Sequence, residues 1–409
     1  MPLPGIDISF QNGNLGSVVP SPDGLLGLVC HAEAVASTLA NTTPYLVTSM
    51  KDVAALGIID DVDNHIVYKF LSEFYAEGGS GTPLWIYTIA RDESLSDQFK
   101  PDGTTGIVPA STLLDTANGD IRGLIALFNP DGTYVSDVDE EMESEVIELA
   151  ALAQTFAEDY TDDKYAPFFV LTEGYGYTGT QATLTDLTEK EYNRVGILLG
   201  DTESRTGTTA SKGAALGVLA GRVAKNAVQV NIGKVRDGAL NPLEMFIVDD
   251  LVEVANIEAL NDKGYITFRK HVSRSGYYFT DSPLATLPSD DYRFLERRRV
   301  IDKAYRVAYS SLLDYVLEDL NVNADGSISP IDAKTIEGVV QNAIFTEMTA
   351  NGELSTDATN PNDLGVIVKV DLTHNITSTS KIKLESLQVA PKAYARYIDV
   401  PLGYIPVSI

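Results

Sequence analysis

Apolar residues recur at helical spacing between Asp63 and Glu77, where Ile66, Val67, Phe70, Leu71 and Phe74 share one face. Gly78-Gly79 supplies the stop. Before this helix, Ser49-Met-Lys-Asp52 is a capping pattern that opens a short helix closed by Gly57. Short, almost wholly apolar runs predict buried strands at 24–30, 84–89, 121–128, 168–171 and 195–199. A helix from about 140 to 158 carries Leu149, Leu152, Ala153 and Phe156 on one stripe. This alternation predicts a partly parallel, three-layer α/β unit.

Gly213, Gly217 and Gly221 stand four apart among alanines, which predicts a helix packed closely on another backbone. Beyond residue 250 the pattern becomes α+β, with β-like segments at 265–270 and 277–280. A long helix follows over about 290–320, with Ile301, Ala304, Tyr305, Ala308, Leu312 and Tyr315 on one face. Arg299, Lys303 and Arg306 then point the other way. A second helix spans about 330–350. Val366, Val368, Val370 and Leu372 alternate opposite Ile382 and Leu384, a hairpin signal. Both ends are extended: residues 1–23 are rich in Gly, Pro, Asn and Ser around one β-like run, Ile6 to Phe10, and residues 394–409 are apolar and interrupted by Pro.

The 409 residues suffice for two or three domains, and 44% apolar with 22% charged residues is a globular composition. The net charge of −28 disfavours nucleic acid and anionic membranes, which bind proteins through Lys and Arg. One cysteine excludes an intramolecular disulfide framework and any Cys-rich zinc module, and four histidines leave little acid–base chemistry. The opening residues show no basic n-region or apolar h-region, and no stretch approaches the length of a membrane helix. The expected site of synthesis and folding is the cytoplasm.

Catalytic motifs are missing or broken. There is no G-x-S-x-G elbow. Gly207 to Gly213 has its Lys before the Gly and no following Ser or Thr, so it reads as a polar loop before a helix rather than a P-loop. His31-Ala-Glu33 lacks the downstream cysteines of a deaminase and reads as a core-edge histidine. No cofactor and no catalytic residue are expected. The acidic run from Asp137 to Glu145 reads as a solvated helix start.

Two features remain. Asn321, Asn323, Asp325 and Asp332 fall in the order of an EF-hand calcium loop with Gly326 at its centre, but Asn opens the loop and Asp332 replaces the usual Glu. The same residues make a turn followed by Ser329 as N-cap, Pro330 at N1 and Asp332 in a capping box, and this is the preferred reading. The basic cluster Arg293, Arg297, Arg298, Arg299, Lys303 and Arg306 either pairs with nearby Asp290, Glu296 and Asp302 or docks an acidic partner, such as a second copy of the chain.

Taken in order, several segments resemble contractile tail sheath proteins of phage tails and related injection systems. Pro4-Gly5-Ile6-Asp7-Ile8 is similar to the family's Pro-Gly-Val-Tyr start, and Thr48-Ser49 through Leu56-Gly57 to its Thr-Ser helix ending in Phe-Gly. Phe70 to Gly79 with the strand 84–89 resembles its Phe-Phe-x-Asn-Gly-Gly helix and strand. Gly213 to Ala224, Leu260 to Ile266 and Tyr292 to Arg299 are similar to its alanine-rich helix, its Leu-Asn-x-x-Gly strand and its Tyr-x-x-x-Arg-Arg helix start.

The resemblance implies a mixed α/β and α+β fold: an N-terminal arm (1–20), an α/β outer domain (21–250), an α+β inner domain (251–393) and a C-terminal arm (394–409). It implies a non-enzymatic subunit of a helical homo-oligomer around an inner tail tube, with baseplate and terminator proteins as further partners. Such a subunit assembles in the bacterial cytoplasm and then works in a virion tail or extracellular particle. Interface roles are expected for Arg299, Lys303 and Arg306, and for Tyr397, Val400, Leu402, Tyr404 and Ile405 of the C-terminal arm. The alternative is a calcium- or glycan-binding surface module.

Overall fold

The computed structural model describes residues 22–206 and 211–405. The expected N-terminal arm, with its run Ile6 to Phe10, lies outside the described residues. The chain divides into two compact units, one ending at Arg306 and one beginning at Val307. Residues 251–306 therefore belong to the first unit rather than to a separate inner domain.

The first unit is built on six strands: β1 (Leu26–His31), β2 (Pro44–Val47), β3 (Leu84–Ile89), β4 (Gly123–Leu127), β5 (Phe169–Glu173) and β6 (Val195–Leu198). They lie in the order β2-β3-β1-β4-β5-β6; β2 is antiparallel to its neighbour and the other five are parallel. Every residue of β1, β4, β5 and β6 is buried. Parallel strands covered by helices on both faces need such continuous apolar runs, which is why they stood out in the sequence. The helices of this unit are α1 (Met50–Ala55), α2 (His65–Gly78), α3 (Pro109–Thr116), α4 (Ser144–Lys164), α5 (Leu216–Lys225) and α6 (Ile257–Asp262). A seventh, α7 (Leu295–Leu312), continues past Arg306.

The expected face of α2 is the observed one, since Val67, Phe70, Leu71 and Phe74 are all buried. Helix α2 packs on α5 through glycine. A Cβ on Gly217 would sit 2.2 Å from the Phe70 carbonyl oxygen, and one on Gly221 would sit 2.7 Å from that of Phe74. Glu77 then ties the pair, with Arg222 Nε at 2.7 Å and Lys225 Nζ at 2.5 Å from its Oε1. In an exposed helix Gly→Ala gains about 1 kcal/mol. Here the methyl meets backbone that cannot step aside, so Gly217→Ala should instead destabilise by about 1–3 kcal/mol, the usual cost of overpacking. Urea denaturation of the variant reads the sign directly.

Two expectations shift. The acidic run does not open α4. Val138–Asp139 and Met142–Glu143 form a small hairpin whose turn residues Glu140 and Glu141 both adopt positive φ, and the helix begins at Ser144. Glu143 is buried there, where its carboxylate accepts from Ser136 and from the Asp137 N–H. The long helix is also shorter than its periodicity suggests, since α7 ends at Leu312 and one 3-10 turn, Leu313–Tyr315, follows.

In the second unit α8 (Pro330–Ile344) lies against a two-stranded antiparallel sheet, β7 (Val366–Val370) with β8 (Leu384–Val389). Val366, Val368 and Val370 are buried and Ile367 and Lys369 are exposed, which is the alternation the sequence displayed. A small core of Ile328, Ala333, Ile336 and Val370 is completed by Leu312, Tyr315, Leu320 and Ile382.

Candidate functional site

In chain order the five parallel strands run 2-1-3-4-5, a doubly wound arrangement whose ligand crevice opens at the carboxyl ends of the first and third strands. Here those strands are β1 and β4, and the protein fills the crevice with its own side chains. The His31 ring meets Phe128 edge-on at 4.9 Å, and Phe128 meets Tyr134 at 5.0 Å and Tyr175 at 4.9 Å. Most polar groups there are also spent internally, although Gln98 Oε1 is buried without a hydrogen-bond partner. His31 Nε2 lies 3.1 Å from the Ser94 carbonyl, Gln98 donates to the Leu127 carbonyl, and Asn129 donates to the carbonyls of His31 and Asp63. Burial pushes the His31 pKa down to about 4, so the ring is neutral. His31 and Ala32 thus belong to the core, and Glu33 is exposed at its edge.

The second place for a ligand in such a fold is the N-terminus of a helix, where free backbone N–H groups attract an anion. Just ahead of α5, Glu173, the last residue of β5, occupies the approach to that position. Its carboxylate accepts from the N–H groups of Ala214 and Phe128 at 2.9 and 2.8 Å. Burial pushes this carboxyl up to about 7 against the two N–H donors, which favour the charged form. An acid whose pKa rises on folding stabilises the fold fully below its ordinary pKa, and that contribution is lost as pH rises through about 7. Stability should therefore fall between pH 5 and pH 8, by up to about 3 kcal/mol from this group at ~1.4 kcal/mol per pH unit. Melting temperatures across that range check the slope, which should flatten in Glu173→Gln.

The basic cluster is not an exposed face. Arg298, Arg299 and Lys303 are buried and Arg306 is half-buried, whereas Tyr305, expected inside, is 37% exposed. The cations converge on Asp23. Lys303 Nζ lies 2.7 Å from one carboxylate oxygen of Asp23 and Arg306 Nη2 3.2 Å from the other. Arg299 donates to the Asp23 carbonyl at 3.3 Å and to the Asn226 carbonyl at 2.9 Å, just beyond α5. Burial alone would raise the Asp23 carboxyl, but Lys303, Arg306 and Arg299 outweigh it and hold the carboxyl below its usual range. Burial also pushes Arg306 down to about 10, with Arg122 nearby adding to the effect. Beside this cluster Asp302 binds Arg298 at 2.6 Å and Arg194 at 3.3 Å. Of the acids expected to neutralise the cluster, Asp302 takes part. Asp23, some 280 positions away along the chain, had given no sequence signal.

The loop from Asn321 to Asp332 is closed on itself. Asp332 Oδ2 accepts from the N–H and side-chain amide of Asn321 at 2.7 and 3.0 Å. Asp325 accepts from the N–H and hydroxyl of Ser327, and the Asn323 amide donates to Ser327 and the Ile328 carbonyl. Ser329 Oγ accepts from the Asp332 N–H at 3.2 Å as the N-cap of α8. The amide groups of Asn321 and Asn323 turn donors inward, which suits a cap and opposes a cation. Among the described residues no group of three or more His, Cys, Asp or Glu side chains could hold a metal ion. Ser329→Ala should cost about 1 kcal/mol in stability, and added calcium should leave the melting temperature unchanged. A calcium-dependent rise abolished by Asp325→Ala would contradict the cap.

The described part of the C-terminal arm has no regular secondary structure from 390 to 405. Its large apolar side chains face solvent, from Val400 at 73% exposed to Tyr404 at 104%, with Tyr397, Ile398, Leu402 and Ile405 between them. Exposed apolar surface of this extent is uncommon on a monomeric soluble protein. Among the described residues β7 and β8 pair only with each other, so the outer edge of each has no strand partner, although the Val370 N–H of β7 is taken by Glu337 Oε1 at 2.9 Å. The inward-facing Leu384, Leu387 and Val389 of β8 are covered less completely than their partners on β7.

No helix among the described residues is long and apolar enough to cross a membrane. No curated protein matches the chain in sequence. Solved structures do match in fold. A chain of the anti-feeding prophage helical sheath in its contracted state superposes with a TM-score of 0.62 at 19% identity, covering 98% of this chain and 99% of that one. A chain of the anti-feeding prophage baseplate gives 0.61 at 17% identity, with 99% of both chains covered. The PVC sheath complex of an extracellular contractile injection system, contracted, gives 0.60 at 12% identity, with 98% of both covered. The protein thus has the mixed α/β fold of contractile sheath proteins along its whole length. The families described as DUF2586, N-terminal domain, and DUF2586, C-terminal domain, match residues 3–283 and 291–406, and the chain accordingly belongs to the DUF2586 family.

Proposed function

We propose that this protein is the repeating subunit of a contractile helical sheath that surrounds an inner tube and drives it through a target envelope. The observation that carries the reading is a sheath fold spanning the entire chain, joined to a C-terminal segment whose apolar side chains have no cover within the protomer. Strand addition to the open edge of a neighbour's β7–β8 sheet would bury Val400, Leu402 and Tyr404 and satisfy the arm's backbone groups together. The N-terminal arm would make a second link of the same kind. Neighbours would then stay connected while the subunits rearrange as rigid bodies.

On this reading the subunit is not an enzyme, and the work comes from interfaces assembled in a metastable state. Its partners are other copies of itself, the inner tube protein, and baseplate and terminator proteins. Assembly takes place in the bacterial cytoplasm, before action in a tail or extracellular particle. Negative-stain microscopy of the purified protein tests the proposal: tubes or rings are expected, and a protein that stays monomeric at high concentration and with its inner tube present would overturn it.

A further inference from the structure

The residues around Asp23 do more than neutralise a buried charge, because of where the chain stands at that point. Asp23 lies in the single 3-10 turn Pro22–Gly24, immediately before β1. Three side chains of α7 grip it from both sides of the backbone, two on the carboxylate and Arg299 on the carbonyl. Arg299 also holds the carbonyls of Asn226 and Ala227, so the turn, the end of α5 and α7 are joined at one residue. The next residue admits no side chain, since a Cβ on Gly24 would lie 2.1 Å from the Ala224 carbonyl oxygen. Beyond it the chain enters β1, which is paired in parallel with β3 over six residues and with β4 over five.

That geometry has a mechanical reading. A pull on the chain before residue 22 acts along β1, so the hydrogen bonds to β3 and β4 are loaded together in shear rather than one after another. The Asp23 grip stands ahead of them in the line of force. It passes load sideways into α7. An ion cluster serving only to neutralise charge would not need to hold the Asp23 carbonyl, nor to sit at the threshold of the central strand.

We propose that Asp23, with Arg299, Lys303 and Arg306, is a force-bearing anchor through which tension on the N-terminal segment enters the fold. The inference rests on the reading of residues 1–20 as an inter-subunit arm, but its test does not require a sheath to form. The sole native cysteine, Cys30, is fully buried, so cysteines introduced at exposed positions give specific attachment points. Single protomers would be stretched in optical tweezers between the N-terminus and Thr104→Cys, which loads the anchor, and between Thr104→Cys and Val272→Cys, which bypasses it.

Asp23→Asn should lower the rupture force in the first geometry and release the segment up to Leu25 as a separate early step, while changing the second far less. Lys303→Gln, a milder change that keeps Arg299 and Arg306 in place, should lie between the two and serves if Asp23→Asn does not fold. Equal rupture forces for variant and wild type in the first geometry, or equal losses in both, would overturn the proposal. Either result would leave the sheath reading standing.

Discussion

Reversing Arg299, Lys303 and Arg306 to Glu together should prevent the protomer from folding. On an exposed helix face such a triple reversal would block docking and leave the fold intact. In this protein Lys303 and Arg306 bind the carboxylate of Asp23 inside the first unit, and Arg299 holds its carbonyl. Breaking one buried pair by removing a partner costs about 3–5 kcal/mol. Three carboxylates brought onto a fourth add repulsion to that loss, and the two together are comparable with the ~5–15 kcal/mol that holds a domain folded. Loss of the cooperative melt and of native circular dichroism is the expected result. A folded triple variant that merely fails to assemble would mean that the cluster faces outward after all.

Deleting residues 397–409 should have the opposite character, with no effect on the protomer and complete loss of assembly. The described side chains of this segment are among the most exposed in the protein, so removing them takes away little that the fold buries. The truncated chain should stay soluble and melt cooperatively at an unchanged temperature. It should form no tubes, because the apolar strip that would enter a neighbour's sheet is gone. Failure of the truncated chain to fold would place the segment in its own core. Normal tubes would leave the arm without a role.

The features that local pattern could reveal were those governed by local physics. Buried parallel strands need continuous apolar runs, and β1, β4, β5 and β6 appear in the sequence as such runs. A glycine repeat at helical spacing signals close backbone approach, and Gly217 and Gly221 make that approach to α2. What the pattern concealed was pairing across the chain. Arg299, Lys303 and Arg306 on α7 look like a solvated stripe because the residue that takes them inward, Asp23, stands near the opposite end of the chain. The hydrophobic pattern therefore assigned the inner and outer faces of α7 wrongly at Lys303 and Tyr305. Glu173 was hidden in the same way, since nothing around it in sequence shows that it binds the Ala214 N–H just ahead of α5.

The filled crevice between β1 and β4 also bears on how the protein's heat stability is governed. By mass action, whatever binds only the folded form raises the melting temperature as its concentration increases. With His31, Phe128, Tyr134 and Tyr175 occupying that cleft, a small molecule has no vacancy there through which to act. On the proposed sheath reading, the species that binds a folded protomer is another protomer. Its thermal transition should accordingly move upward with protein concentration, so that calorimetry at several dilutions becomes a measure of self-association rather than of ligand occupancy.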